Sequence, residues 1–214
     1  MTAIHPDTAV GEHLAPVPPP DSTATATPST YGDPFALGLA SFGISALVLA
    51  SVMSGLIDPV ATPAVLSLAL ALGFGVELVA GVIHYRRGET FPGMVFTAYA
   101  GFWLSYALLV QFYVPQVVAA GGDPADIVGM FLLAWGIFSA YMLLAALRTN
   151  LTTIAIFVLL TAVFVVAALG SFTGSTGTGE LAGYLLIADA ALALYASAAI
   201  IVNGTWERTV LPVP

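Results

Sequence analysis

The chain has 214 residues, 59% of them hydrophobic and only 7% charged, with a formal net charge of −8. A soluble domain carries about 25% charged residues, so this composition excludes a globule that coats itself for water and implies an integral membrane protein. Cys is absent, which removes disulfide and thiol chemistry, and the lack of Lys in an acidic chain excludes nucleic acid and an anionic lipid surface as partners.

Residues 1–32 are rich in Pro, Thr, Ser and Asp and have neither a basic n-region nor an apolar h-region. They read as a disordered N-terminal tail and not as a signal peptide. Six apolar segments follow, at 35–56, 63–85, 92–114, 126–147, 151–169 and 181–202. Each approaches the roughly 20 residues needed to cross a bilayer core. Helices satisfy their own backbone in lipid, and no segment alternates with the period of two expected of a membrane barrel. The fold class is therefore all-α, with residues 33–204 forming a six-helix transmembrane domain and 205–214 a short C-terminal tail. Gly, Pro, Asp and Asn mark the breaks. Residues 148–150 make a tight hairpin, and 170–180 (GSFTGSTGTGE) read as a flexible polar loop.

Six spans put Arg86, Arg87, Arg148 and Arg208 on the side that also holds both termini. By the positive-inside rule that side is cytoplasmic. The loops around Asp58, Asp123 and Glu180 carry no basic residue and face outward, and Asp126 suits the N-terminus of the fourth span. The expected location is the cytoplasmic membrane, multi-pass. Tyr85, Tyr113 and Trp206 fit an interfacial belt, whereas Trp103, Tyr106 and Trp135 lie deeper, where packing is the commoner role.

Small residues recur at helical spacing: Thr97, Gly101 and Ser105 on the third span, Gly73 and Gly81 on the second. Such faces let helices approach closely in lipid. Glu77 stands between those two glycines and shares a face with Ala80, Gly81 and His84. A carboxylate at mid-membrane costs about 2.5–3.5 kcal/mol on insertion scales, so Glu77 must face protein or water. Asp189 is a second intramembrane carboxylate, on the sixth span. His84, near the end of its span, reads as a solvated interfacial side chain. No His/Cys/Asp cluster has metal-ligand spacing, no nucleophile–base pair is visible, and the Gly73–Gly75 pair lies inside an apolar span where it serves packing. Neither an enzyme nor a cofactor or metal is expected.

Three motifs carry a resemblance. Ala80-Gly81, Tyr85, Gly88, Thr90-Phe91, Phe96, Tyr99 and Phe102-Trp103-Leu104 form the first; Asp33-Pro34-Phe35-Ala36-Leu37-Gly38-Leu39 the second; Ala182-Gly183-Tyr184, Tyr195 and Arg208-Thr209-Val210-Leu211-Pro212 the third. In this order they resemble the succinate–acetate permease family, also called the acetate uptake transporters. The resemblance implies a ring-shaped homo-hexamer with one pathway per subunit. It implies a small carboxylate (acetate, other monocarboxylates or succinate) as the cargo, moved by a channel-like or proton-coupled route. It also implies a narrowest point built by Phe42, Tyr99 and Leu160, in which apolar side chains gate by dewetting and a tyrosine hydroxyl can bond a passing carboxyl group. Glu77 and Asp189 stand where the family carries neutral residues, and His84 where it carries an acid. Asp33, Glu77 and Asp189 are the candidate proton- or substrate-linked polar residues. Two alternatives remain at this point: a channel for another small cargo such as ammonium, which extra carboxylates would favour, and a non-transporting membrane sensor or subunit. The arginine distribution predicts that a reporter fused after Pro214 is active only in the cytoplasm; activity only outside would reverse the topology.

Overall fold

The computed structural model describes residues 31–212. The tail expected over 1–32 lies, but for its last two residues, outside the described residues. The six predicted segments are helices long and apolar enough to cross a membrane: α1 (Phe35–Met53), α2 (Pro59–Arg86), α3 (Thr90–Ala119), α4 (Ala125–Ala146), α5 (Leu151–Thr173) and α6 (Thr176–Trp206).

Side-chain oxygens satisfy the backbone N–H groups that a helix start leaves open. Asp33 accepts from the Phe35 N–H at 2.9 Å, Asp58 from Val60 at 2.9 Å, Asp123 from Ala125 at 2.9 Å and Asn150 from Thr153 at 2.8 Å. Two helices are not regular throughout. α2 begins as a short 3-10 turn and widens into a π-helical stretch over Ala69–Val76, directly before Glu77; α3 does the same over Leu109–Tyr113. Such wide turns concentrate at functional sites.

One expectation is corrected here. The stretch 170–180 is not a loop: α5 continues to Thr173 and α6 starts at Thr176. Gly174 takes the left-handed conformation (φ 63°) that ends α5, and the Ser175 hydroxyl caps the Thr178 N–H at 3.3 Å. The glycines that imitate a linker allow close approach instead. A Cβ on Gly170 would sit 3.1 Å from the Gly179 backbone, and Ser171 donates to the Ala125 carbonyl at 2.8 Å.

The helices close on one another around an axis: α1 packs on α6, α6 on α5, α5 on α4 and α2 on both α1 and α3, with a slighter contact between α3 and α4. The α1–α6 seam is the tightest. A Cβ on Gly183 would come within 2.3 Å of the Ser54 backbone nitrogen, and one on Gly43 within 2.7 Å of Leu194. Ser197 on α6 donates to the Ala36 carbonyl on α1 at 2.7 Å. Large apolar side chains such as Ile137, Leu144 and Ile201 point away from the bundle and are exposed, as lipid contact requires, and Tyr85, Tyr113 and Trp206 are exposed near helix ends. The C-terminal segment folds back on α6, where Asn203 bonds the backbone of Val210 and Leu211, and Tyr195 donates to the Pro212 carbonyl at 2.7 Å.

Gly183→Ala must push the α1 backbone away and is expected to destabilise by about 1–3 kcal/mol. Gly204→Ala meets nothing within 4 Å and should leave stability equal or slightly higher. Thermal melting of the two detergent-solubilised variants checks the contrast.

Candidate functional site

A series of cavities follows the bundle axis. The first, about 200 Å³, lies at the end that carries Asn150 and Asn203 and includes Thr152 and Ile200 in its wall. The second, about 30 Å³, shares Phe35, Leu39, Thr153 and Ile156 with it. The third, about 330 Å³, opens toward Met53, Val114, Val128 and Leu186 at the opposite end. Phe42, Tyr99 and Leu160 line both the second and the third cavity, and no other residue does. These three side chains, from α1, α3 and α5, stand between the two spaces, and all three are buried. The middle cavity has room for only a molecule the size of one or two waters.

Tyr99 is held firmly. Its hydroxyl lies 2.7 Å from the Ser139 hydroxyl, which in turn donates to the Trp135 carbonyl at 2.8 Å. Its ring packs edge-on against Phe138, at 5.3 Å between centroids, and stacks on Phe164 at 6.5 Å. Trp103, one turn further along α3, is fully buried in the wall of the third cavity, and its indole rests where a Cβ on Gly73 would be 2.4 Å away.

Glu77 faces the middle cavity, on the buried face it shares with Gly73, Ala80, Gly81 and His84. The Trp103 N–H approaches its carboxyl, but neither that N–H nor Glu77 Oε2 closes a bond of hydrogen-bond geometry. The structure thus brings Phe42, Tyr99, Leu160 and Glu77 together. It does not bring Asp33 to them, and it sets Asp189 within electrostatic reach of Tyr99 but outside the cavity walls. Asp189 is completely buried with both oxygens unpartnered, yet it lines none of the described cavities, and Asp33 is an exposed cap of α1.

His84 corrects a second expectation. It is not solvated: only 2% of it is exposed. Its ring stacks on Phe96 at 5.5 Å and meets Phe35 edge-on at 5.8 Å, and both of those rings line the middle cavity. Its Nδ1 pairs with Glu89 Oε2 at 2.5 Å, while Glu89 Oε1 accepts from Arg87 Nε at 2.9 Å. The chain reverses at Gly88 (φ 76°), which turns Glu89 back over the end of α2. An ion pair across a glycine turn leaves no periodic trace in sequence, and so the partner goes unseen there. Ser139 is equally silent, a lone serine in an apolar helix. Partial burial raises the Glu89 carboxyl, but the bonds from His84 and Arg87 outweigh it and hold the group below its ordinary value.

A bundle of six apolar helices around an axial series of cavities, with three buried side chains between two of them, defines a multi-pass membrane protein with internal spaces along its axis. The chain belongs to the GPR1/FUN34/yaaH family, whose model matches residues 17–214. It is 28% identical over 183 residues to the succinate-acetate/proton symporter SatP of Escherichia coli strain K12, covering 85% of this chain and 94% of that protein. It is also 28% identical over 172 residues to ammonia transport outward protein 3 of Saccharomyces cerevisiae, covering 79% of this chain and 62% of the yeast protein. Among solved structures, the bacterial acetate channel SatP superposes with a TM-score of 0.77 at 27% identity, covering 86% of this chain and 99% of that one.

Because Glu89 is held below its unfolded value, the stability it contributes is present above the ordinary carboxylate range and is lost as pH falls through its folded value. Glu89→Gln should therefore melt roughly 1–3 °C below the wild type at pH 7. The gap should close as the wild-type carboxyl protonates on acidification. A gap that stays constant down to that range would remove Glu89 from the charge cluster.

Proposed function

We propose that the chain moves acetate and similarly small carboxylates across the cytoplasmic membrane, along the axis that the cavities mark. The observation that carries this reading is that Phe42, Tyr99 and Leu160 alone border both the middle and the large cavity. They act as the constriction of the pathway, and the cavities to either side as its vestibules. Family membership, and what the SatP relatives are named for, supply the cargo. Apolar side chains at a pinch exclude hydrated ions by dewetting, so passage is limited to small species that shed their water at low cost. No enzymatic step enters this reading.

In the same reading both termini lie in the cytoplasm, since the four Arg then sit inside. The end with Asn150 and Asn203 is then the cytoplasmic mouth. The protein assembles as a ring-shaped homo-hexamer. In support, the cavity series is lined within one chain, so each subunit would hold its own pathway, while α4 leaves an apolar outer face free for lipid or a neighbour.

Labelled-acetate uptake into proteoliposomes at two external pH values, beside ammonium flux under the same gradients, tests the cargo. Acetate uptake above that of protein-free vesicles is expected; ammonium flux alone would replace the carboxylate by a different cargo. Phe42→Ala and Tyr99→Ala widen the pinch and should raise uptake of the larger lactate several-fold. If acetate and lactate uptake both stay at wild-type values in both variants, the constriction lies elsewhere.

A further inference from the structure

The arginine pair that ends α2 is satisfied in only one of its members. Arg87 has a counter-charge: its Nε donates to Glu89 Oε1 at 2.9 Å, and its Nη1 donates to the Tyr31 carbonyl at 2.9 Å. Arg86 donates from Nη1 to the Tyr31 hydroxyl at 3.3 Å, and among the described residues no carboxylate pairs with it. Two acids at this end are already engaged. Glu89 holds Arg87 and His84, and Asp33 caps α1. A guanidinium stays charged in proteins and carries five donors. One bond to a phenol oxygen neutralises none of that charge.

Arg86 also stands at the end of a groove. Leu78, Val79, Val82 and Ile83 line about 300 Å³ on the outer face of α2, together with Arg86 and Tyr31. The positions 78, 79, 82, 83 and 86 follow one helical face, and from Leu78 to Arg86 the helix rises about 12 Å. The groove shares no residue with the three axial cavities. Arg86 is the last residue of α2, and its neighbour Tyr85 is exposed, as a side chain in the interfacial belt is. The groove therefore starts at the depth of the headgroups and runs into the hydrocarbon.

Its occupant must be anionic at one end and apolar over the next two turns of helix. A phospholipid has this order, a phosphodiester followed by an acyl chain. Inorganic phosphate supplies only the charge. The apolar face of a second copy supplies only the chain, and it would bury the Arg86 guanidinium without a counter-charge, which is costly. We infer that the groove binds one phospholipid, with its phosphate on Arg86 and an acyl chain along Leu78, Val79, Val82 and Ile83. Lipid tails are as apolar as leucine, so the chain gains little by leaving the bilayer for the groove. Selectivity rests on the charge-assisted bonds between guanidinium and phosphate. Zwitterionic and anionic phospholipids both carry that phosphate, so an acidic protein needs no negatively charged surface to fill the site. The bound lipid ties the end of α2, through Arg86 and Tyr31, to the segment that enters α1. This site is independent of the cargo.

The test is native mass spectrometry of the full chain in detergent, titrated with phosphatidylethanolamine, phosphatidylglycerol or diacylglycerol bearing the same acyl chains. One phospholipid should bind per chain, with the two headgroups within about threefold of each other and diacylglycerol about tenfold weaker. Excess inorganic phosphate should not displace the lipid. Arg86→Gln should lower both phospholipids to the diacylglycerol level, and Arg148→Gln should change neither. Val82→Trp fills the groove without altering charge and should also lower phospholipid binding several-fold. Diacylglycerol that binds as well as the phospholipids overturns the inference, as does displacement by phosphate alone. Unchanged binding in a folded Arg86→Gln or Val82→Trp protein places the lipid elsewhere and overturns it too. A groove covered by a second copy, seen as a disulfide between Val79→Cys chains with no lipid retained, overturns it in favour of a protein contact.

Discussion

The close seating of α1 on α6 is the constraint on which the axis depends. Lipid gives helices no hydrophobic reason to associate, so contact between them rests on packing and a few hydrogen bonds. Gly183 against the backbone of Met53 and Ser54, Gly43 beneath Leu194 and the Ser197–Ala36 bond fix the rotation and height of α1 together. A turn of one residue is about 100° on a helix, enough to swing Phe42 off the axis. On the other side of the axis Gly73 does the same for α3. It seats the Trp103 indole, and Tyr99, four residues earlier, lies on the same face. Two glycine seams thus orient Phe42 and Tyr99, the two aromatic residues that border both the middle and the large cavity.

The polar groups are distributed unevenly. Charge pairs concentrate at the helix ends, where Glu89 gathers His84 and Arg87, and Arg86 and Arg87 both reach Tyr31. Inside the bundle the hydroxyls are satisfied by carbonyls, as Ser45 is by Leu68 between α1 and α2. Among the described residues the exceptions are the Trp103 N–H, His84 Nε2 and the two carboxyl groups. Glu77 and Asp189 keep buried oxygens without partners, a costly state in a medium without water. Glu77 borders open space in the middle cavity and has Trp103 beside it. Asp189 is enclosed by packed helix on all sides, with Ala190 and Ala193 of its own helix fully buried next to it. The same residue type therefore has different surroundings at the two positions, and only one of them lies on the axis.

Much of this was legible in the sequence. Apolar length and the arginines give the spans, and the face shared by Gly73, Glu77, Ala80, Gly81 and His84 is buried as its spacing says. Phe42, Tyr99 and Leu160 stand out only through the family resemblance and not through periodicity, since an aromatic or a leucine in an apolar helix has no signature of its own. What stayed hidden depends on contacts across helices. Glycine, serine and threonine over 170–180 follow the composition rule for a loop, but in a membrane bundle the same residues let helix ends approach, and the turn shrinks to Gly174 and Ser175. His84 carries the same ambiguity. Its place in the span suggested an interface with water, yet Phe96 covers one face of the ring and Glu89 folds back over its edge.

The wall beside the pinch differs in how tightly its members are held, and the difference follows from their contacts. Phe96 is wedged between His84 and α1, where a Cβ on Gly38 would come within 2.4 Å of its ring. Tyr99 is fixed by Ser139 and by the rings of Phe138, Trp135, Phe157 and Phe164. Among the described residues, no aromatic pair includes Phe42, and neither Phe42 nor Leu160 has a polar atom to anchor. Both border open volume on two sides. A χ1 change at either one moves atoms into a cavity and not into packed neighbours, whereas a change at Tyr99 would break a buried hydrogen bond and four ring contacts at once. The rigid one of the three is therefore the tyrosine, and the adjustable ones are the apolar pair beside it.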